Sequence, residues 1–150
     1  MPPHETFATI MSVGDRVTRS KTLTETDLAF FAAVSGDFDP IHMDEAYAKT
    51  TRFGGRIAHG LLSMALLSAA SAGISALARE RGYTGASVSL GFDKVRFLAP
   101  VFIGDTLTAT YAIDTIDPDK GRSRSTCAVT KQDGVQCVAA IHVMRWLDRD

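Results

Sequence analysis

The sequence predicts an α+β protein in which an antiparallel sheet packs on one long buried helix. Helix caps and helical periodicity occupy the first half of the chain, whereas apolar and polar residues alternate with a period of two in the second half. Between them, residues 61–77 carry apolar side chains on nearly every face, which is typical of a helix surrounded by protein. A length of 150 residues suits one domain, residues 1–150.

The first elements are a short strand and a capped helix. A strand is predicted around residues 16–20. Thr24 and Asp27 have the spacing of a capping box, with Asp in place of the usual Glu. A helix is therefore predicted from about 25 to 34, ending at Gly36, since glycine readily adopts the left-handed conformation that follows many helices.

The next segment is predicted to be a loop, because Pro40 cannot continue a helix interior. Asp44 can cap a short helix over residues 45–49. The long apolar helix then begins after His59. Its residues 61–77 are interrupted by serines and are a little short for a membrane span, so no membrane partner is predicted.

The second half of the chain is predicted to be strands. Val88, Leu90 and Phe92 alternate with small residues, and the parity shifts at Asp93-Lys94, which predicts a β-bulge. Another strand is predicted over residues 107–113 by the same alternation.

The last two strands, 122–130 and 135–146, are predicted to form a hairpin with a two-residue turn at Asp133-Gly134. That turn would place Cys127 and Cys137 on opposite faces of the sheet, so no disulfide is predicted. Without a disulfide, and without a signal-peptide pattern in the first ten residues, we predict a cytoplasmic protein.

Charge and surface composition bear on partners. The formal net charge of −1 gives no reason to expect nucleic acid or an anionic membrane. The last strand leaves apolar side chains facing outward in either parity, which a second subunit would cover. The two possible sets are Ile141 and Val143, or His142, Met144 and Trp146. We therefore predict a homodimer or higher homo-oligomer.

Asp37 and His42 are the first candidate site residues. Each alone has an ordinary explanation, since Asp after Gly is usually a turn residue and a single histidine is often a core or surface residue. Together, on a loop stiffened by Pro40, they can point into one space and hold one water. A carboxylate and an imidazole in that arrangement favour general acid–base catalysis.

Gly60 is the second candidate, at the start of the long helix. It can serve close packing alone. Alternatively, its N–H can bind an oxyanion, because the first N–H groups of a helix lack intrahelical partners and lie at the positive end of the dipole. His59, with Asp37 and His42, is a conceivable metal ligand, but no zinc-type spacing supports a site, and no metal is predicted.

These residues fall in a recognisable order. Residues 36–44 read Gly-Asp-Phe-Asp-Pro-Ile-His-Met-Asp, Phe53 follows, residues 57–60 read Ile-Ala-His-Gly, and residues 97–105 have the form F-x-x-P-V-F-x-G-D. The chain resembles the MaoC-like dehydratases, or hydratase 2 family, whose single-domain members are (R)-specific enoyl-CoA hydratases. The resemblance covers most of the chain.

That resemblance implies a hot-dog fold, in which the sheet wraps around the central helix, and active sites at a subunit interface. It implies that Asp37 and His42 form the catalytic dyad and that Gly60 supplies the oxyanion-hole N–H. Asp39 replaces the family's Asn, and with Pro40 and His59 it is expected to position the loop.

The implied reaction is hydration of a trans-2-enoyl-CoA to the (R)-3-hydroxyacyl-CoA, with coenzyme A as part of the substrate and no cofactor. Two alternatives stay open because fold does not fix function: an acyl-CoA thioesterase and a non-catalytic acyl-CoA-binding subunit. The expected substrate-binding residues are a serine on the long helix and three basic side chains for the CoA phosphates, namely Ser68, Arg56, Lys94 and Arg96.

Overall fold

A computed structural model describes residues 6–148. The first five residues, part of the stretch from which we argued against a signal peptide, lie outside this range. Within it, the helices are α1 (Phe7–Ile10), α2 (Glu25–Ser35), α3 (Pro40–Met43), α4 (Glu45–Lys49) and α5 (Gly60–Glu80). The strands are β1 (Arg16–Thr22), β2 (Ala86–Phe97), β3 (Thr106–Asp117), β4 (Arg122–Lys131) and β5 (Gln136–Leu147). They form one antiparallel sheet in the order β1-β3-β4-β5-β2.

Helix α5 is the core helix around which the sheet wraps. It packs against β1, β3, β4 and β5, and Leu67, Ala70 and Ile74 on it are fully buried. Small residues allow a close approach, because a Cβ on Gly73 would lie 2.6 Å from Val17 Cγ1 of β1. By length and composition α5 is apolar enough to cross a bilayer, but here it fills the hot-dog core. The predicted α+β hot-dog fold is confirmed.

The capping and glycine signals in the sequence predicted α2 correctly, whereas α3 was predicted to be a loop. Thr24 and Asp27 form the predicted capping box, and Gly36 ends α2 with a φ of 76°. The prediction of a loop throughout residues 37–42 is wrong, because Pro40 is the first residue of α3. At that position its missing N–H costs nothing and its fixed φ suits a helix start.

The β-bulge in β2 is confirmed, with a register shift between Asp93 and Arg96. The predicted two-residue turn is wrong. Gly134 N–H donates to Lys131 O at 2.9 Å and Lys131 N–H donates to Val135 O at 2.9 Å, which closes a three-residue loop. Gly134 takes its left-handed position, with a φ of 84°.

The longer loop shifts the register by one residue only next to the turn, where Thr130 pairs with Gln136. Beyond this shift Cys127 faces Ala140, and both cysteines are free and buried, in agreement with the prediction of no disulfide.

The exposed apolar groups of the sheet lie mainly on β2, whereas the last strand exposes Leu147 at its end. Val88 is 43% exposed and Leu90 is 50% exposed on this edge strand. In β5, which lies between β4 and β2, Ile141 and Val143 are half-buried and the other parity is fully buried. The last-strand side chains from which an oligomer was predicted are therefore at least half-buried, and the exposed apolar surface lies instead on the edge strand β2.

Candidate active site

Asp37 lies in a tight connection between α2 and α3, held by local hydrogen bonds. Its N–H donates to Ser35 Oγ at 3.1 Å, and its Oδ1 accepts from Asp39 N–H at 3.2 Å. Asp39 Oδ1 accepts from Ile41 N–H at 3.0 Å and so caps α3, which begins at Pro40. The Asp37 side chain is 48% exposed. This loop presents the carboxylate to solvent on a fixed backbone.

His42, in α3, is oriented by a backbone carbonyl. Its Nδ1 lies 2.7 Å from Ile57 O. Because a carbonyl oxygen only accepts, Nδ1 carries the proton, and in the neutral ring the lone pair is on Nε2. Ile57 is itself fixed by a β-bridge to Phe102. His42 is thus held in a tautomer that can act as a general base through Nε2.

His59 is buried immediately before α5 and contacts both predicted catalytic residues. Its Nε2 lies 2.9 Å from Asp37 O, and its ring stacks on His42 with centroids 3.9 Å apart. One nitrogen of each histidine and one carboxylate oxygen of Asp37 all lie within 4.8 Å of one another. Two hydrogen bonds of about 2.8 Å each can span a separation of that size, which is the distance that one shared water would require.

The same three residues have the donor types of a metal site. Two of their four ring nitrogens are already bonded to backbone carbonyls, His42 Nδ1 to Ile57 and His59 Nε2 to Asp37. The two imidazoles are also stacked, with centroids 3.9 Å apart and planes 28° apart. The geometry suits proton transfer better than metal coordination.

A cavity of about 310 Å³ opens beside these residues. Its wall contains His42, Gly60 and the rings of Phe53 and Phe97. As the first residue of α5, Gly60 has an N–H without an intrahelical partner, at the positive end of the helix dipole. His42 and the helix N-terminus therefore face one space.

Gly60 also has a packing role. A Cβ on this residue would lie 2.6 Å from the ring of Phe97. The Phe97 ring thus occupies the space that a side chain at residue 60 would need. This contact is what the packing explanation for Gly60 requires. Packing and oxyanion binding are compatible roles for Gly60. The Phe97 ring lies against its Cα, whereas oxyanion binding would use its N–H.

Arg56, predicted to bind CoA phosphate, is engaged elsewhere. Its two terminal nitrogens donate to Glu25 at 2.8 Å and 2.7 Å, and its Nε donates to Glu45 at 3.4 Å. These hydrogen bonds raise the pKa of Arg56 and lower the pKa of Glu25. Arg56 joins α2 to α4 around the loop that carries Asp37, and its charge is neutralised there.

The other three predicted substrate-binding residues are exposed and do not line the cavity. Ser68 lies on the exposed side of α5, roughly 12 Å beyond Gly60 along the helix axis. Lys94 sits at the β2 bulge with a φ of 52°. Arg96 donates to Val95 O at 2.7 Å. The structure does not bring them to the dyad.

Three cavity residues were missed by sequence reasoning. Ser63, buried and one turn into α5, lines the cavity where Ser68 was expected to do so. Arg52 is the charged residue in the cavity wall, and its guanidinium lies 5.1 Å from the Phe53 ring centroid. Phe97 comes from the distant strand β2. Ser63 could have been predicted, because it follows Gly60 by three residues and so lies on the same side of α5. No local sequence feature indicated Arg52 or Phe97.

Comparisons with known proteins identify the relatives of this chain. The family model described as MaoC like domain matches residues 11–136. An (R)-specific enoyl-CoA hydratase of Rhodospirillum rubrum is 36% identical over 132 residues, 87% of this chain and 86% of the relative. One of Aeromonas caviae is 33% identical over 135 residues, 90% of this chain and 95% of the relative.

A solved structure, the unliganded R-hydratase PhaJ1 from Pseudomonas aeruginosa, superposes with a TM-score of 0.79 at 36% identity. The match covers 96% of this chain and 86% of that chain. The chain therefore belongs to the MaoC-like family.

Proposed function

We propose that this chain is a single-domain hydro-lyase that adds water reversibly to a trans-2-enoyl-CoA and gives the (R)-3-hydroxyacyl-CoA. The observation that carries the proposal is the position of His42, which has a ring nitrogen within 4.8 Å of an Asp37 carboxylate oxygen and lines the same cavity as Gly60, the first residue of α5. The R-specific hydratases to which the chain is similar over most of its length support the reaction class and the stereochemistry.

In the proposed step, one water lies between the Asp37 carboxylate and His42 Nε2. Nε2 accepts a proton as the water oxygen bonds to C3, and the π electrons of the C2–C3 bond move toward the thioester oxygen. The Gly60 N–H donates to that oxygen as its charge develops. The proton held by the dyad then returns to C2, so that one whole water has been added.

The rate contributions expected from the dyad and the oxyanion donor are large enough for catalysis. General acid–base transfer is worth about 10²–10⁴-fold in rate. One oxyanion donor is worth roughly 2.7–4 kcal/mol to a transition state. Asp39 and Pro40 serve the reaction by fixing α3, and the step requires no cofactor beyond the CoA of the substrate.

For the CoA phosphates we propose Arg52 in place of Arg56. Arg52 is exposed at the cavity wall, and no ion pair to it occurs within residues 6–148, whereas Arg56 is bound by two glutamates. Lys94 and Arg96, exposed on β2, are secondary candidates for the same phosphates. Ser68 is not part of this proposal.

We also propose a cytoplasmic homodimer that pairs through the β2 edge. Val88 and Leu90 are half-exposed there, and an edge strand with free backbone groups readily pairs with a second copy. Light scattering at assay concentration should give at least a dimer, and Val88→Lys with Leu90→Lys should shift it toward monomer. A monomer in the unaltered protein would contradict the proposal.

The test of the function is a hydration assay on crotonyl-CoA and longer enoyl-CoAs. The proposal expects loss of the enoyl absorbance and (R)-3-hydroxyacyl-CoA by chiral analysis. Release of free CoA thiol with an unchanged enoyl absorbance would instead indicate a thioesterase. Binding of acyl-CoA without either change would indicate a non-catalytic subunit.

A further inference from the structure

We propose that His59 is a positioning residue, held as a neutral ring with its proton on Nε2, which fixes the Asp37 loop against the stacked ring of His42. The inference rests on the proposed function, since the pair it positions is the proposed dyad. His59 itself performs no proton transfer in this account.

The tautomer of His59 follows from its two ring nitrogens. Nε2 lies 2.9 Å from Asp37 O, which only accepts, so Nε2 is the donor. Nδ1 is buried and has no hydrogen-bond partner within the described part of the chain, and the side chain is 3% exposed. A proton on Nδ1 would be a buried donor without an acceptor, at a cost of about 1–3 kcal/mol. The ring is therefore neutral and donates through Nε2.

His59 holds the backbone of the loop and not the charge of Asp37. Its Nε2 is 3.9 Å from Asp37 Oδ2, too long for a hydrogen bond, whereas the bond to Asp37 O is short. The carboxylate is thus left free to contact water. A change of Asp37 to Asn should leave this contact in place.

The two stacked histidines are held in opposite tautomers by two backbone carbonyls. His42 donates from Nδ1 to Ile57 O, and His59 donates from Nε2 to Asp37 O. The ring of Phe31 also packs on His59, with centroids 4.7 Å apart. Since His59 directly precedes Gly60, one residue connects the carboxylate loop, the imidazole and the start of α5.

Positioning of this kind acts on turnover. A displacement of about 1 Å in a reacting group costs on the order of 10²-fold in rate. The His59 side chain lies behind His42 and is absent from the cavity wall, so its loss should leave substrate binding nearly unchanged. The expected signature is a fall in kcat with an unchanged KM.

The test compares His59→Gln with His59→Phe. Gln can place an amide N–H at the position of Nε2 and keep the bond to Asp37 O, whereas Phe keeps the stacked ring and has no donor. We expect His59→Phe to lose kcat by about 10²-fold with KM and melting temperature little changed, and His59→Gln to retain much more of it. A Phe variant as active as the Gln variant, or a loss of kcat that only follows the folded fraction, would overturn the proposal.

A second measurement does not depend on activity. Ring ¹⁵N chemical shifts of the unaltered protein at neutral pH should give His59 as the Nε2–H tautomer and His42 as the Nδ1–H tautomer. A protonated Nδ1 on His59 would overturn the proposal even in an active hydratase. If the protein hydrates no enoyl-CoA, the proposed function is wrong. The ¹⁵N shifts would still support or overturn the hydrogen bond from His59 Nε2 to Asp37 O.

Discussion

Two histidine clusters in this molecule have similar composition and differ in what their ring nitrogens contact. In the sheet, fully buried His142 stacks on Phe92 with centroids 4.3 Å apart. Its Nδ1 lies 2.7 Å from Tyr111 Oη and its Nε2 lies 2.7 Å from Ser89 Oγ. Both nitrogens are therefore satisfied, and burial lowers the pKa of His142 to about 4.

The second cluster leaves reactive groups unsatisfied. His42 uses only Nδ1 for the backbone, and the carboxylate of Asp37 is half-exposed within 4.8 Å of a histidine nitrogen. A cavity opens on His42 and does not reach His142. The comparison teaches that a stacked histidine is structural when both nitrogens are paired with protein. It can perform chemistry when one nitrogen is free beside a carboxylate.

The largest expected effect is a loss of turnover in variants of the Asp37 and His42 cluster but not in a variant of His142. Asp37→Asn and His42→Ala should each lower hydration turnover by about 10²–10⁴-fold while the fold survives, because each removes a proton-transfer group from the shared water. His142→Asn is the matched control. It should lower the melting temperature and leave turnover per folded molecule near normal.

The measurement is single-turnover hydration beside thermal unfolding on the same samples. Normal turnover in either active-site variant would remove that residue from the dyad. A His142→Asn variant that folds but does not turn over would mean that the sheet cluster is part of the chemistry.

The next effect concerns Gly60. A methyl group at this residue meets the Phe97 ring at 2.6 Å, so Gly60→Ala should cost about 1–3 kcal/mol of stability through overpacking. We also expect it to lose turnover, because the Cβ hinders the thioester from approaching the N–H.

Phe97→Ala in the Gly60→Ala background distinguishes packing from chemistry. Removing the ring should restore the melting temperature while turnover stays low. If turnover returned together with stability, Gly60 would serve packing alone, and its N–H would have no role in the reaction.

Much of this could be predicted from the sequence, because the signals are local. The Thr24 capping box, the glycine after α2 and the alternation in β3 are each decided by residues close in the chain. The grouping of Asp37, His42 and Gly60 rested on the family resemblance, and the structure places His42 and Gly60 on one cavity.

The remainder depends on contacts between distant segments. Arg56 is neutralised by Glu25, 31 residues away, and Phe97 reaches Gly60 from the far edge of the sheet. The sequence alone does not pair such residues. The same limit applies to His142, whose partners Ser89 and Tyr111 lie on two other strands.

A third prediction uses the pH dependence of stability to sharpen the comparison. His142 has a pKa lowered from 6.5 to about 4 in the folded protein. Between these values the unfolded chain binds a proton that the folded protein does not, so the free energy of unfolding rises with pH through this window. Its contribution is complete above pH 6.5 and amounts to about 3 kcal/mol.

Urea unfolding between pH 4 and 7.5, roughly the range over which histidines titrate, measures this slope. His142→Asn should flatten it, and His42→Ala should not. An unchanged slope in His142→Asn would show that other groups carry the pH dependence.

The smallest expected effect is at the cavity mouth. Arg52→Gln should raise KM for enoyl-CoA by about fivefold, since an exposed charge pair contributes about 1 kcal/mol. With an enoyl N-acetylcysteamine thioester, which has no phosphate, KM should not change. Arg122→Gln, an exposed arginine on β4, is the control. Equal effects on both substrates would argue against phosphate recognition by Arg52.

The central claim, that Asp37 and His42 act on one water, is tested most directly by a double-mutant cycle. Single-turnover hydration of crotonyl-CoA would be measured for Asp37→Asn, His42→Ala and the double variant at equal folded concentration. If the residues share the water, the double variant should lose about as much turnover as the worse single variant, because the second change removes nothing that is still working. A double variant that loses the full product of the two single effects would contradict the account.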